Sequence, residues 1–173
     1  LGAAYFGLQI LQREKEIFQD NPKVQPDLSG YDYALQRQLK PEAPSKYQKI
    51  LDELGIVPTS MIDISDGLSS EALHISNASN VGVCLHEDKI PVDHTVMNMA
   101  SEFNLNPIAF ALSGGEDYEL LFSINQKDYE KLKKDPDFTI VGYVTDISEG
   151  NNFIANDGSS HKLIAQGWDS TKV

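Results

Sequence analysis

The chain has 173 residues, 40% of them hydrophobic, a formal net charge of −12 and a single cysteine. That length and apolar share suit one domain with its own core. No apolar run is long enough to cross a bilayer, no signal-peptide pattern appears, and so much negative charge argues against nucleic acid, whose binding rests on Lys and Arg.

Leu1, Tyr5, Leu8 and Leu11 recur at helical spacing and predict an amphipathic helix from Leu1 to about Phe18. The chain begins in what reads as mid-helix, without an initiator methionine, and is expected to be part of a larger protein. Asn21-Pro-Lys-Val-Gln-Pro26 breaks the first helix. A second is expected over Tyr31 to Lys40, ending before Pro41. A third, capped by Ser45, runs to Leu54 and closes at Gly55.

After Pro58 the pattern changes. Ser60 to Ile64 reads as a strand, followed by a Ser65-Asp66-Gly67 turn and a helix with Leu68, Ala72, Ile75 and Ser79 on one face. Val81 to His86 is a second strand, and a helix follows from about Asp93 to Phe103. Tyr118 to Ser123 is a strand, Asp128 to Lys134 a charged helix, and Thr139 to Val144 another strand. A hairpin turns on Asp157-Gly158. The class is mixed α and β (α+β), with a sheet covered by helices on one face, in a single domain. Cys84 lies in a strand, reads as structural, and fits a reducing cytoplasm.

Two acidic segments punctuated by glycine carry the chemistry: Met61-Ile-Asp-Ile-Ser-Asp-Gly-Leu-Ser69 and Leu112-Ser-Gly-Gly-Glu-Asp-Tyr-Glu-Leu-Leu-Phe122. In the first, strand alternation points Asp63 and Ser65 the same way, and the turn brings Asp66 towards that space. Asp63 and Asp66 are a candidate Mg²⁺ pair, since that ion takes oxygen ligands and often uses few carboxylates plus substrate phosphate. Ser65 can donate to a phosphate oxygen, and Gly67 opens a helix whose first amides attract anions. Asp66 is equally a good N-cap, and both readings stay open here. Asp63, inside an apolar strand, is not explained by capping.

Neither an EF-hand loop nor a Walker-type loop is present. In the second segment Gly114-Gly115 supports a sharp turn that exposes Glu116 and Asp117 at the mouth of the next strand. Alone it also reads as a solvated acidic loop. The only tryptophan, Trp168, either covers the core or stacks on a flat, cationic ring. The four histidines share no metal-ligand spacing.

Ile62-Asp-Ile-Ser-Asp-Gly-Leu68 and Ser113-Gly-Gly-Glu-Asp-Tyr-Glu-Leu120 closely resemble the C-terminal half of bacterial thiamine-monophosphate kinase. Leu1-Gly-Ala-Ala-Tyr-Phe-Gly-Leu8, Arg37-Gln-Leu-Lys-Pro41, Ile90-Pro91 and the terminal Gly-Trp-Asp support the match, which covers essentially the whole chain. The resemblance implies the C-terminal-domain fold of the superfamily that includes aminoimidazole ribonucleotide synthetase. It also implies ATP-dependent phosphorylation of thiamine monophosphate to thiamine diphosphate. By position, Asp63 and Asp66 would bind Mg²⁺, Ser65 would contact ATP, and Glu116 and Trp168 would meet the thiamine substrate. Gly67, Gly114, Gly115 and Asp117 would support the loops.

Ser170 departs from the pattern, because the family commonly has histidine after the aromatic-Asp pair. The resemblance implies a missing N-terminal domain that supplies further metal-binding aspartates, nucleotide contacts and a homodimer interface. The isolated piece is therefore expected to be inactive. Another enzyme of the superfamily, or a non-catalytic module binding Mg²⁺ and nucleotide, is the alternative reading.

Overall fold

The computed structural model describes residues 1–165. Trp168 and Ser170 therefore lie outside the described residues. In chain order the elements are α1 (Ala3–Asp20), α2 (Asp32–Leu39), α3 (Lys46–Glu53), β1 (Ser60–Asp63), α4 (Leu68–Ser79), β2 (Gly82–His86), α5 (His94–Glu102), α6 (Pro107–Ser113), β3 (Leu120–Ser123), α7 (Tyr129–Leu132), β4 (Gly142–Thr145), β5 (Asn152–Ile154) and β6 (Ser160–Lys162).

The strands form two sheets rather than the one expected. β1 and β3 pair antiparallel as a ribbon, and β4-β2-β5-β6 form a mixed sheet in which only β2 and β5 run parallel. An apolar cleft of about 900 Å³, lined by Leu120, Phe122, Ile140 and Val144 among others, separates β3 from β4.

Three apolar clusters hold the elements together. Leu68 and Ala72 of α4 pack on Val83 and Leu85 of β2 with Ile64, Ile90 and Ala111. Phe6 and Ile10 of α1 meet Ala34 of α2 and Met99 and Ala100 of α5. Leu51, Ile56 and Leu132 form the third, with Phe122 and Phe138 against them. Each fully buried side chain of this size contributes about 1.5–3 kcal/mol relative to exposure. The clusters thus fix the helices that flank the ribbon, and the ribbon carries both acidic segments.

Most predicted elements are present, with four differences. Helix α6 was not expected, although Asn106 accepts from the Ile108 N–H at 2.9 Å as an N-cap and Pro107 follows at the first helical position. Ser45 occupies the start of α3 without a side-chain capping bond. Ser79 is exposed. Its place on the buried face is taken by Ser76, whose hydroxyl donates to the Val81 carbonyl at 2.6 Å and so stays satisfied. The predicted helix over Asp128 to Lys134 is reduced to a 3₁₀ turn and the short α7.

Candidate functional site

The ribbon brings the two acidic segments together. β1 pairs with β3 from Ser60 opposite Ser123 to Asp63 opposite Leu120. The pairing then continues beyond the strands: the Ile64 N–H donates to the Glu119 carbonyl at 2.7 Å, the Tyr118 N–H to the Ile64 carbonyl at 2.8 Å, and the Glu116 N–H to the Ser65 carbonyl at 2.7 Å. Residues distant in sequence are therefore adjacent in space down to the tips of both segments.

Two glycines permit this closeness. Gly115 has φ +71, and a Cβ there would lie 2.4 Å from the Ser65 carbonyl oxygen. Gly67 has φ +121, and a Cβ there would lie 2.7 Å from the Leu112 carbonyl oxygen. Each glycine faces the other segment, and neither position tolerates a side chain by conformation or by space. Gly114 differs from expectation. Its φ of −79 is ordinary, and its contribution is room, since a Cβ would lie 2.6 Å from that of Tyr5.

The first segment presents its acids from relaxed backbone. Along β1 the side chains alternate, so Met61 and Asp63 are exposed while Ile64 beyond them is 3% exposed. Ser65 and Asp66 are half-buried. Asp66 is not the N-cap of α4: Gly67 holds that place and makes no side-chain cap. Instead the Asp66 N–H donates to Glu71 Oε1 at 3.1 Å, a variation on the capping box that uses the backbone of Asp66 and leaves its carboxylate free for other partners. Among the described residues, neither the Asp63 nor the Asp66 carboxylate takes part in a hydrogen bond or ion pair.

The second segment is strained. Glu116 and Tyr118 both sit in the left-handed region, at φ 61 and 51. Asn80 and Asn104 do so too, but asparagine tolerates that region and Glu and Tyr do not. Each such residue costs on the order of 1–3 kcal/mol and persists only where its surroundings impose it. The surroundings here are specific. Asp117, between the two, is 1% exposed; its Oδ2 accepts from the Gly2 N–H at 2.7 Å. Its carbonyl accepts from Arg37 Nη2 at 2.6 Å, and the same nitrogen reaches Glu119 Oε1 at 2.9 Å.

Asp117 thus differs from expectation: it anchors the loop inward, and Glu116 alone is exposed. Among the described residues, Asp117 Oδ1 and Glu71 Oε2 are buried without a hydrogen-bond partner. Burial pushes both carboxyls above their ordinary values.

The bond from the Glu116 N–H to the Ser65 carbonyl sets Glu116 beside the first segment. The Tyr118 hydroxyl donates to Glu116 Oε2 at 3.1 Å. That bond and the Glu116 charge push the Tyr118 phenol above its ordinary value, with smaller contributions from Asp63 and Asp66. All three carboxylates therefore act on one phenol.

The large apolar cleft is not this face, since Asp63, Asp66 and Glu116 are absent from its walls. No cluster of three or more His, Cys, Asp or Glu side chains able to hold a metal occurs among the described residues. Two solvent-reaching carboxylates without protein partners nevertheless fit Mg²⁺, which keeps water and phosphate oxygens in its remaining positions.

Sequence reasoning missed Glu71 and Tyr118, and it saw Arg37 only as part of a matching stretch. An acid in the first turn of α4 was the available signal for Glu71. For Tyr118 there was none, because left-handed φ at tyrosine has no sequence signature.

No family model matches the chain. Thiamine-monophosphate kinase of Pyrococcus abyssi is 39% identical over 119 residues, which is 68% of this chain and 35% of that protein. The protein of the same name from Aquifex aeolicus is 32% identical over 169 residues, 97% of this chain and 48% of the relative. The first is archaeal, so the similarity is not restricted to bacterial members. Among solved structures, AaThiL complexed with AMPPCP and TMP superposes with a TM-score of 0.74 at 27% identity, over 98% of this chain and 48% of that one. The chain spans about half the length, or less, of the curated relatives it matches.

Proposed function

The chain belongs to the thiamine-monophosphate kinase family, and from that premise we propose that the protein it forms part of moves the γ-phosphoryl group of ATP onto thiamine monophosphate, giving thiamine diphosphate. The observation that supports this reading is the backbone pairing that sets the loop of Glu116 against the segment of Asp63 and Asp66. In this reading Asp63 and Asp66 hold Mg²⁺, which when bound neutralises phosphate charge that two anionic reactants would otherwise set against each other. Ser65, whose hydroxyl has no hydrogen-bond partner among the described residues, donates to a phosphate of ATP.

The acceptor is itself a phosphate oxygen, already ionised near neutral pH, so no protein base has to create the nucleophile. What the residues do is orient. Glu116 faces the cationic thiazolium of the acceptor, and Trp168 packs on its rings. The strained loop keeps Glu116 beside the Asp63–Asp66 pair, so the bound acceptor is near the donor phosphates before reaction.

The reading extends to a C-terminal domain of a two-domain, cytoplasmic, homodimeric enzyme whose other half supplies the remaining nucleotide contacts. The 173-residue chain alone then has no turnover. The test is thiamine diphosphate formation by the complete enzyme from ATP, Mg²⁺ and thiamine monophosphate. ATP turnover with an aminoimidazole precursor instead would make it a different enzyme of the superfamily. Binding of Mg²⁺ and ATP without transfer would make it a module.

A further inference from the structure

We infer that Arg37 of α2 is a positioning residue for Glu116, holding the acceptor-binding loop in its left-handed conformation from behind; this rests on the reading of Glu116 as an acceptor contact. The argument begins with the helices. α1 and α2 pack so closely that a Cβ on Gly7 would lie 2.3 Å from the Ala34 carbonyl oxygen. The pair therefore moves as one body, and both of its members grasp the same residue.

α1 brings the Gly2 N–H to the Asp117 side chain, and α2 brings the Arg37 guanidinium to the Asp117 carbonyl and to Glu119. One bond fixes the side chain of Asp117, and the other fixes the plane of the peptide that joins it to Tyr118. With residue 117 held at both points, its neighbours Glu116 and Tyr118 are kept at φ values that neither side chain favours. Both bonds come from the one Nη2, so a single end of the guanidinium ties the Asp117 carbonyl to the Glu119 carboxylate, and its fixed charge is kept at any ordinary pH. The Arg37 side chain is 21% exposed, whereas Glu116 is exposed.

The experiment uses the complete enzyme carrying Arg37→Met or Arg37→Lys, with Glu116→Gln as the companion variant. The first readout is amide exchange at Glu116 and Tyr118, whose N–H groups are bonded to Ser65 and Ile64. Arg37→Met is expected to speed exchange there by about tenfold while the amides of α4 keep their protection. The second is kinetic: the KM for thiamine monophosphate rises about tenfold, with the KM for ATP within about twofold and Arg37→Lys intermediate.

Unchanged protection at Glu116 and Tyr118, or equal rises in both KM values, overturns the proposal. If Arg37→Met does not fold, Arg37→Lys carries both readouts against the same criteria. Should Glu116→Gln leave the KM for thiamine monophosphate unmoved, the reading of Glu116 as an acceptor contact falls, and this positioning role falls with it. A rise in Glu116→Gln without one in the Arg37 variants removes the positioning role alone.

Discussion

The two acidic segments look alike as strings, each a pair of acids beside glycine at a strand end, yet they are built in opposite ways. Asp63 and Asp66 stand on ordinary backbone, with the helix start behind them held by Glu71. Glu116 stands on a contorted backbone whose neighbour Asp117 is buried and anchored by two helices. In the proposed reading, a relaxed scaffold suffices where carboxylates are offered to a hydrated ion, whereas the residue proposed to meet an organic ring stands on constrained backbone at the cost of local strain.

The sharpest way to break this comparison is to remove charge without touching shape. Asp63→Asn is expected to lower phosphoryl transfer by the complete enzyme at least about a hundredfold, while urea unfolding shifts by no more than about 0.5 kcal/mol. A large loss of stability would mean that Asp63 is a structural acid. Gly115→Ala attacks the junction itself: positive φ and the nearby Ser65 carbonyl together predict destabilisation of about 2–4 kcal/mol, read from the midpoint of the same unfolding curve.

Asp117 distinguishes the segments by pH. Its carboxyl is raised above the ordinary value of 3.8, with burial the leading cause. The folded form therefore holds that proton more tightly than the unfolded chain. The stability it contributes is full below the ordinary value and is lost as pH rises through the raised one. Asp117→Asn can still accept the Gly2 N–H, and it is expected to remove this slope and to be more stable than the parent by about 1 kcal/mol at neutral pH. An unchanged slope across a pH series of denaturation curves would assign it to other groups. The smallest effect is the most telling: Glu116→Gly relieves the left-handed strain and should stabilise by up to about 1 kcal/mol while weakening acceptor binding. If it destabilised, the conformation at Glu116 would not be strained.

Much of this was legible in advance, for physical reasons that differ by element. α1, α4 and α5 announce themselves because apolar residues recur on one face, and β1 and β2 because apolar side chains stop abruptly at turn residues. The pairing of Ile62-Asp63 with Leu120-Leu121 is not legible, since nothing in either strand names its partner. The split into two sheets is not legible for the same reason: nothing in Thr139 to Val144 says that its partner is β2 and not β3. The candidate acids stand out in the sequence because carboxylates in apolar strand contexts are costly to leave without partners. The inward role of Asp117 was not found, because Glu116 and Asp117 are chemically near-equivalent in a string. Only the left-handed backbone at 116 and 118 sends one out and the other in.

The ribbon of β1 and β3 also acts as a ruler. Asp63 lies opposite Leu120, and three backbone bonds carry the pairing on from there, joining Ile64 to Glu119 and Tyr118, and Ser65 to Glu116. The spacing between the Asp63 edge and the Glu116 edge is therefore set by backbone pairing as well as by side-chain packing. Inserting or deleting a single residue between Glu116 and Leu120 would slip the count by one and turn the alternate side chains to the wrong side. A change in that count would therefore displace Glu116 even where every helix around it kept its packing.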